Sequence, residues 1–284
     1  MSSDAADEPP HSESRISLVP PPPPPATQVY GERLLGLFEH LGVMTTMTLR
    51  TLRAYFKRPF EGKAIVTQIE SLGVASLGIV TVTSVFIGMV MAVQFAFGLR
   101  KFGGMEYTGR VVGLSFAREL APTLTAVIVG GRIGAGMAAE VGSMAVTEQI
   151  DALRALGADP YKKLVLPRLT AAVIVMPVLA ALALVLGFTG AMVITDLQFN
   201  IPGEFFLRSA LGTVTMRDLV SGMFKTPFFG AIIALVGCHF GMTTRGGTAG
   251  VGNSTTRTVV VISITILIAD FFLTKVSIAL MPQL

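Results

Sequence analysis

Residues 71–99 read SLGVASLGIVTVTSVFIGMVMAVQFAFGL, and no formal charge lies between Glu70 and Arg100. A second run, LTAAVIVMPVLAALALVLGFTGAMVIT at 169–195, is also uncharged. Each run exceeds the ~20 apolar residues that an α-helix needs to cross a bilayer. Because a charge inside the hydrocarbon is costly and these runs carry none, both predict membrane-spanning helices.

The whole chain has the composition of a membrane protein. Of its 284 residues, 51% are hydrophobic and only 14% are charged, whereas a soluble domain carries roughly a quarter charged residues. Three further apolar stretches contain a few charges each and complete a set of five. The predicted spans are about 72–99, 111–141, 169–195, 219–243 and 258–281.

The region before the first span divides into two parts. Residues 1–28 are acidic and polar and then run through six consecutive prolines at 20–25, a composition that predicts a disordered tail. Residues of about 30–63 mix leucines and phenylalanines with arginines and lysines. This pattern predicts an amphipathic helix in the headgroup region; a soluble helix pair packed on another surface is the alternative.

The fold class is therefore an all-α integral membrane protein, with an N-terminal interfacial amphipathic helix, five transmembrane helices and a short cytoplasmic helix. Five crossings place the two termini on opposite sides of the membrane. The loops that share a side with the N-terminus carry most of the lysines and arginines, including those at 50–63 and 154–168. The positive-inside rule thus predicts a cytoplasmic N-terminus, with the tail inside, and a periplasmic C-terminus.

Several classes of function find no support in the residues. Cys238 is the single cysteine, so the chain can build neither a disulfide framework nor a cysteine metal cluster. The net charge of +4 is modest, and the basic residues lie at span ends without interleaved aromatics, which argues against nucleic-acid binding. No phosphate-binding loop with its lysine occurs. No catalytic constellation and no metal site are predicted, and the histidines are isolated.

A short helix is predicted between the second and third spans, from Glu148 to Leu156. Thr147 is its candidate N-cap, Gly157 is placed to end it, and Pro160 follows. Its apolar residues fall three apart and form one stripe: Ile150, Leu153 and Leu156. The stripe either rests on the membrane or docks a partner protein, and the pattern alone does not choose between them.

Charged side chains inside the spans are the candidate site. Arg118, Glu119 and Lys225 are expected to face a bundle interior or a water-filled cavity, because exposing them to lipid tails costs several kcal/mol. They could hold a lipid headgroup, or they could form an ion pair between helices, with Lys225 neutralising Glu119. On the first span, Gln94 is a candidate for the wall that contacts acyl chains, and a plain helix-packing face is its alternative.

Several motifs in order resemble the MlaE/YrbE family of ABC-transporter permeases. RELAP stands at 118–122, GRIGAGMAAEVG at 131–142 and TEQIDALRALGADP at 147–160. GMFKTPFFG at 222–230 and STTRTVV at 254–260 agree with the same family. The resemblance covers roughly residues 30–284, and the proline-rich tail lies outside it.

The resemblance implies a permease of the bacterial inner membrane that works as a homodimer with a separate cytoplasmic ATPase. ATP and Mg²⁺ are then expected in that ATPase, with no cofactor in this chain. An MCE-domain lipid-binding protein and, in many systems, a STAS-domain protein are further partners, and the cargo is lipid, most often phospholipid. The loop helix becomes the coupling helix, with Glu148, Gln149, Ile150, Leu153 and Leu156 as its contact residues.

Two other functions stay open from the residues. An ion-coupled secondary transporter would use the charged spans as a relay, although neither RELAP nor GRIG has a second copy, as an inverted repeat would require. A structural membrane subunit without transport is the other. Co-purification of a lipid and an ATPase would separate all three hypotheses.

Overall fold

The computed structural model describes residues 42–55 and 62–280, and every regular element within these ranges is helical. Helix α1 comprises residues 42–55. The remaining helices are α2 (Gly62–Arg100), α3 (Thr108–Ser115), α4 (Thr125–Val146), α5 (Gln149–Ala155), α6 (Leu166–Phe199), α7 (Gly203–Leu211), α8 (Met216–Met242) and α9 (Gly247–Leu280). A π-helical segment, Phe116–Leu124, joins α3 to α4, and a second, Tyr161–Val165, leads into α6.

Within the described residues, five helical stretches are long and apolar enough to cross a membrane, which confirms the predicted all-α membrane fold with five spans. They are Gly62–Arg100, Met105–Val146, Tyr161–Phe199, Met216–Met242 and Gly247–Leu280. All five begin before the predicted bounds, because the prediction followed apolar residues only. A helix that has begun continues through polar residues as long as no backbone feature stops it.

Helix α1 covers part of the predicted interfacial helix. Its buried residues, Met47, Thr51 and Ala54, recur at helical spacing, so one face packs on the rest of the described chain. The guanidinium of Arg50 lies 5.6 Å from the ring centre of Tyr161. The predicted range ended at Lys63, but that residue belongs to α2. Predictions for the tail and for residues 29–41 and 56–61 lie outside the described residues.

Helices α2 and α6 form the most extensive helix pair. Residues of α2 at every fourth position are buried, from Leu72 to Ala96, and most of them are small. Gly88 and Gly187 meet at the crossing, where a Cβ on Gly88 would collide with the Gly187 carbonyl. Without a hydrophobic driving force in lipid, such close backbone contact is what holds spanning helices together.

Helix α4 packs against α8 and α9, and α8 also packs against α6. Their contacts are filled by isoleucines with no exposed surface: Ile233, Ile262 and Ile266. The outer faces of α2, α6 and α9 keep large apolar side chains exposed, among them Phe86, Val178 and Phe271. An apolar exterior around a tightly packed interior is the arrangement that a bilayer requires.

Candidate functional site

Arg118 and Glu119 lie in the π-helical segment Phe116–Leu124, which also contains Pro122. Proline has no backbone N–H and its ring obstructs the preceding turn, so a regular α-helix is disfavoured at this point. The wider π-helical turn accommodates it, and such turns are frequent at functional sites. Adjacent helical residues point in different directions, and so these two side chains engage different partners.

Lys225 of α8 is bound between two carboxylates. Its Nζ donates to Glu119 Oε1 at 2.8 Å and Oε2 at 2.9 Å, and to Asp270 Oδ1 at 3.1 Å. It also donates to Thr274 Oγ1 at 2.6 Å, and that hydroxyl donates to Glu119 Oε1 at 3.1 Å. The Lys225 side chain is 1% exposed and that of Glu119 is 41% exposed. Lys225 is therefore the buried centre of a network, and Glu119 is its accessible edge.

Arg118 binds a different carboxylate, Asp218. Its Nε and Nη2 lie 2.7 Å and 2.6 Å from Asp218 Oδ1. The second oxygen, Oδ2, accepts hydrogen bonds from the backbone N–H and the hydroxyl of Thr215, each at 2.8 Å. Thr215 is the N-cap of α8, and the pair forms a capping box. One carboxylate thus fixes the start of α8 and the position of Arg118.

These charged groups border a cavity of about 800 Å³. Its volume lies within the ~300–1,000 Å³ that small-molecule sites occupy. The lining combines charged, hydroxyl and apolar side chains: Leu114, Arg118, Glu119, Thr213, Thr215, Arg217, Asp218, Ser221, Thr274, Ser277 and Ile278. Such a lining can contact a polar headgroup and an apolar chain together. In the described part of the chain, no group of three or more His, Cys, Asp and Glu residues is placed to hold a metal ion.

The structure brings three of the four predicted lipid-binding residues together. Arg118 and Glu119 line the cavity, and Lys225 lies behind Glu119 without lining it. Gln94 is exposed on α2 and does not line this cavity. The geometry contains the predicted Glu119–Lys225 ion pair and leaves a headgroup role for Glu119 as a prediction.

The sequence analysis missed Asp218 as the partner of Arg118, and it assigned Asp270 to structural pairing without identifying Lys225 as the partner. Asp218 follows Thr215 by three residues, the spacing of a capping box, and this signal was available in the sequence. Asp270 and Thr274 are four residues apart and therefore share one face of α9. That this face meets Lys225 depends on how α8 and α9 pack, which no local pattern gives.

Helix α5 is the predicted loop helix, with a different start. The prediction that Thr147 is the N-cap of α5 is wrong. The Thr147 hydroxyl donates to the Ser143 carbonyl at 2.8 Å, and Thr147 is the C-cap of α4. Glu148, with a φ of 60°, makes the turn into α5. At the other end, Gly157 has a φ of +75° and stops the helix as predicted. Left-handed residues at both ends separate α5 sharply from its neighbours.

The apolar stripe of α5 does not form a single exposed face. Ile150 is buried in a small cluster with Val141 and Leu164, and Leu153 packs against its edge. Leu156, by contrast, is 83% exposed. The stripe therefore anchors α5 to its own chain at one end. A partner or the membrane can reach Leu156 and the exposed polar residues, including Glu148 and Gln149.

The cavity and α5 lie at opposite ends of the bundle. The first turn of α8 lines the cavity through Asp218. The helix ends at Met242, which packs on the cluster that holds Ile150. At 1.5 Å per residue, α8 is about 40 Å long, more than the ~30 Å of a hydrocarbon core. A chain with one site at each end of its spans can connect events on the two sides of a membrane.

Comparison with known proteins gives one family. Residues 65–276 match the sequence model of the family described as Permease MlaE. The chain is 43% identical to a probable ABC transporter permease protein, slr1045, of Synechocystis, over 72% of this chain and 78% of that protein. It is 36% identical to one of Rickettsia typhi, over 86% and 95%. It is also 41% identical to the chloroplast protein TRIGALACTOSYLDIACYLGLYCEROL 1 of Arabidopsis thaliana, over 73% of this chain and 59% of that protein. This chain belongs to the MlaE family of ABC-transporter permeases.

Proposed function

We propose that this permease moves lipids, with phospholipids as the expected class, between the bacterial inner membrane and the outer envelope. The observation that carries the proposal is the cavity of about 800 Å³ bordered by Arg118 and Glu119 among apolar spans. A fully apolar solute would not offset the cost of keeping these charges inside a membrane. An amphiphile would, since its headgroup can contact the charges while its chains lie along Leu114, Ile278 and the surrounding apolar faces.

One relative supports a lipid cargo. The name of the Arabidopsis protein includes that of a galactolipid, trigalactosyldiacylglycerol. Galactolipids and phospholipids share a glycerol backbone with two acyl chains and differ in the headgroup. The proposal therefore assigns the acyl chains to apolar surface that both lipid classes would use, and headgroup selection to the charged lining.

Energy is expected from another subunit. A permease of an ABC transporter implies an ATPase partner, which would bind ATP and Mg²⁺, and we assign no catalytic role to this chain. We propose that the exposed face of α5, from Glu148 and Gln149 to Leu156, contacts that ATPase. A homodimer of this chain, an MCE-domain protein and a STAS-domain protein complete the proposed assembly.

We place the N-terminus in the cytoplasm and the C-terminus in the periplasm. A cysteine at Ala158, in the turn after α5, is then expected to react with an impermeant maleimide only when the cytoplasmic side is exposed. A cysteine at Lys101 is expected to react from the periplasmic side. The native Cys238 is fully buried, so it contributes little background. If Ala158→Cys were labelled from the periplasm alone, the topology would be the reverse of the one proposed. Helix α5 would then lie on the periplasmic side, where it could not contact a cytoplasmic ATPase.

Lipid capture tests the cavity. A photoreactive amino acid at Ile278, which lines the cavity and makes no ion pair, is expected to crosslink lipid, and crosslinking should fall when the ATPase turns over. Val178, which is 64% exposed on α6, is the matched control. It should crosslink bulk lipid whether or not ATP is present. Mass spectrometry of the adducts would identify the headgroup.

Two outcomes would contradict the lipid cavity. Absence of adducts at Ile278 while Val178 captures lipid would mean that lipid does not enter. Equal capture at both positions with no response to ATP would mean that Ile278 contacts only bulk membrane. In either case Glu119 and Lys225 would be an inter-helix ion pair alone.

A further inference from the structure

An ion pair with one buried partner, Arg168, links the two helices on either side of α5. Glu140, near the end of α4, and Arg168, near the start of α6, flank α5 in the sequence. Arg168 Nη2 lies 2.6 Å from Glu140 Oε1, and Arg168 Nη1 donates to the Leu164 carbonyl at 2.8 Å. A single guanidinium thus joins α4, the π-helical segment Tyr161–Val165 and α6.

Burying an arginine at this position costs more free energy than burying an apolar side chain, so packing alone does not explain it. The Arg168 side chain is 5% exposed, and its Nε has no hydrogen-bond partner among the residues that the structure describes. An apolar side chain of similar volume would often be as stable or more so. Glu140 is 56% exposed, so its carboxylate gives up part of its hydration to reach the guanidinium. The position therefore provides a directional link between two helices, which apolar packing does not provide.

The link and the apolar anchor of α5 meet at Leu164 but use different groups of that residue: Arg168 binds its backbone carbonyl, and its side chain belongs to the cluster that holds Ile150. Ile150 packs on Val141 and Leu164, which holds α5 against the bundle. Glu140 and Arg168 instead hold α4 to α6 at the base of the same segment. Neither residue lies on the exposed face of α5 that is proposed to contact an ATPase, so the pair can be changed without changing that face.

On the basis of the proposed function, we propose that Arg168 is a positioning residue that couples α5 to the cavity. When the bound ATPase moves α5, the movement is transmitted to α4 at one end of α5 and to α6 at the other end. With the Glu140–Arg168 pair intact, the two helices respond as one body, and α4 continues through Phe116–Leu124 to Glu119. Without the pair, the turn at 156–160 and the adjoining π-helical segment absorb the movement, and ATP is hydrolysed without moving lipid.

The test compares Glu140→Gln, Arg168→Gln and the charge-swapped double variant Glu140→Arg/Arg168→Glu in proteoliposomes with the ATPase partner. The matched control is Glu204→Gln, which breaks an exposed ion pair of 2.6 Å between Glu204 and Arg208 within α7. Lipid moved per ATP hydrolysed is measured together with hydrogen exchange of the amides at 144–163. The exchange measurement needs no transport and so reports on the link even if the cargo is not lipid.

In the two single variants we expect the ATPase to stay bound and to hydrolyse ATP at a rate close to that of wild type. Lipid moved per ATP should fall about tenfold, and exchange at 144–163 should rise about tenfold, the factor that corresponds to about 1.4 kcal/mol. The swapped variant should recover part of both losses, and Glu204→Gln should change neither.

Three results would overturn the inference: unchanged exchange at 144–163 in both single variants, unchanged lipid per ATP, or release of the ATPase, which would make the pair a docking element. A wild-type protein that binds the ATPase and moves no lipid would refute the proposed function instead. The exchange data would then still show whether the pair links α4 to α6.

Discussion

Replacing Lys225 by methionine is expected to lower the free energy of unfolding by about 3–5 kcal/mol, the usual cost of removing one partner from a buried ion pair. The loss arises because Glu119 and Asp270 both accept from Lys225 Nζ and would otherwise face each other without a cation. The chain has no tryptophan, so the measurement is far-UV circular dichroism of detergent-solubilised protein titrated with SDS.

Two further variants show whether charge is the cause. Lys225→Arg keeps the cation and should lose less, although the planar guanidinium fits a site built for an ammonium less well. The triple variant Glu119→Gln/Lys225→Met/Asp270→Asn removes all three charges and should recover most of the stability, because no carboxylate is left unpaired. If Lys225→Met is as stable as wild type, the network contributes nothing and the observed contacts are incidental.

The network also separates two roles within one site. Lys225 is 1% exposed and is held by four side-chain contacts, so its effect on a ligand passes through Glu119. Glu119, at 41% exposure, and Arg118, at 34%, are the charges that a headgroup in the cavity would contact. A stability measurement therefore reports on Lys225, and lipid capture reports on the cavity.

The spans were predictable from the sequence because the bilayer imposes a length on apolar runs. The uncharged runs at 71–99 and 169–195 are long enough to cross a bilayer. Exposing the same apolar surface to water would cost far more free energy. Their helical extensions were not predictable in the same way. Residues 62–63 lie in the helical stretch of the first span although they add little apolar surface, so continuation of the helix makes them helical. Tyr161 begins the third stretch and packs on the core and against Arg50, a contact that no apolar run predicts.

The site was predictable only in part, for a different physical reason. Arg118, Glu119 and Lys225 stood out because a charge within an apolar span needs a partner. Which partner each finds depends on helix rotation and packing. Arg118 binds Asp218 in the first turn of α8. Lys225 acquires Asp270 and Thr274 from a helix about 45 residues further on.

Helix α5 illustrates the same limit. Residues spaced three apart predicted one apolar stripe, and docking or lying on the membrane were the two options considered for it. The structure adds another option, since Ile150 packs within its own chain. An amphipathic pattern shows that a face is buried and does not show against what.

Replacing Leu156 by aspartate is expected to weaken binding of the ATPase more than about a hundredfold. Leu156 is 83% exposed, so the substitution leaves the fold of α5 intact. Burying a leucine in an interface contributes roughly 1.5–3 kcal/mol, and an unpaired carboxylate in the same place adds a penalty of its own. Together these exceed the ~2.8 kcal/mol that corresponds to a hundredfold change in Kd. The measurement is the Kd of the purified ATPase for the permease in nanodiscs.

The choice of residue follows from the burial of α5. Ile150→Asp would disrupt the cluster with Val141 and Leu164 and would loosen α5 itself, and Leu153 lies at the edge of that cluster. Leu156 changes only the outer surface. Leu211→Asp is the control, because Leu211 is 69% exposed at the end of α7, which packs on α3 beside the cavity. It should leave the Kd unchanged. An unchanged Kd for Leu156→Asp with normal membrane insertion would mean that Leu156 rests on lipid and that another surface of the permease receives the ATPase.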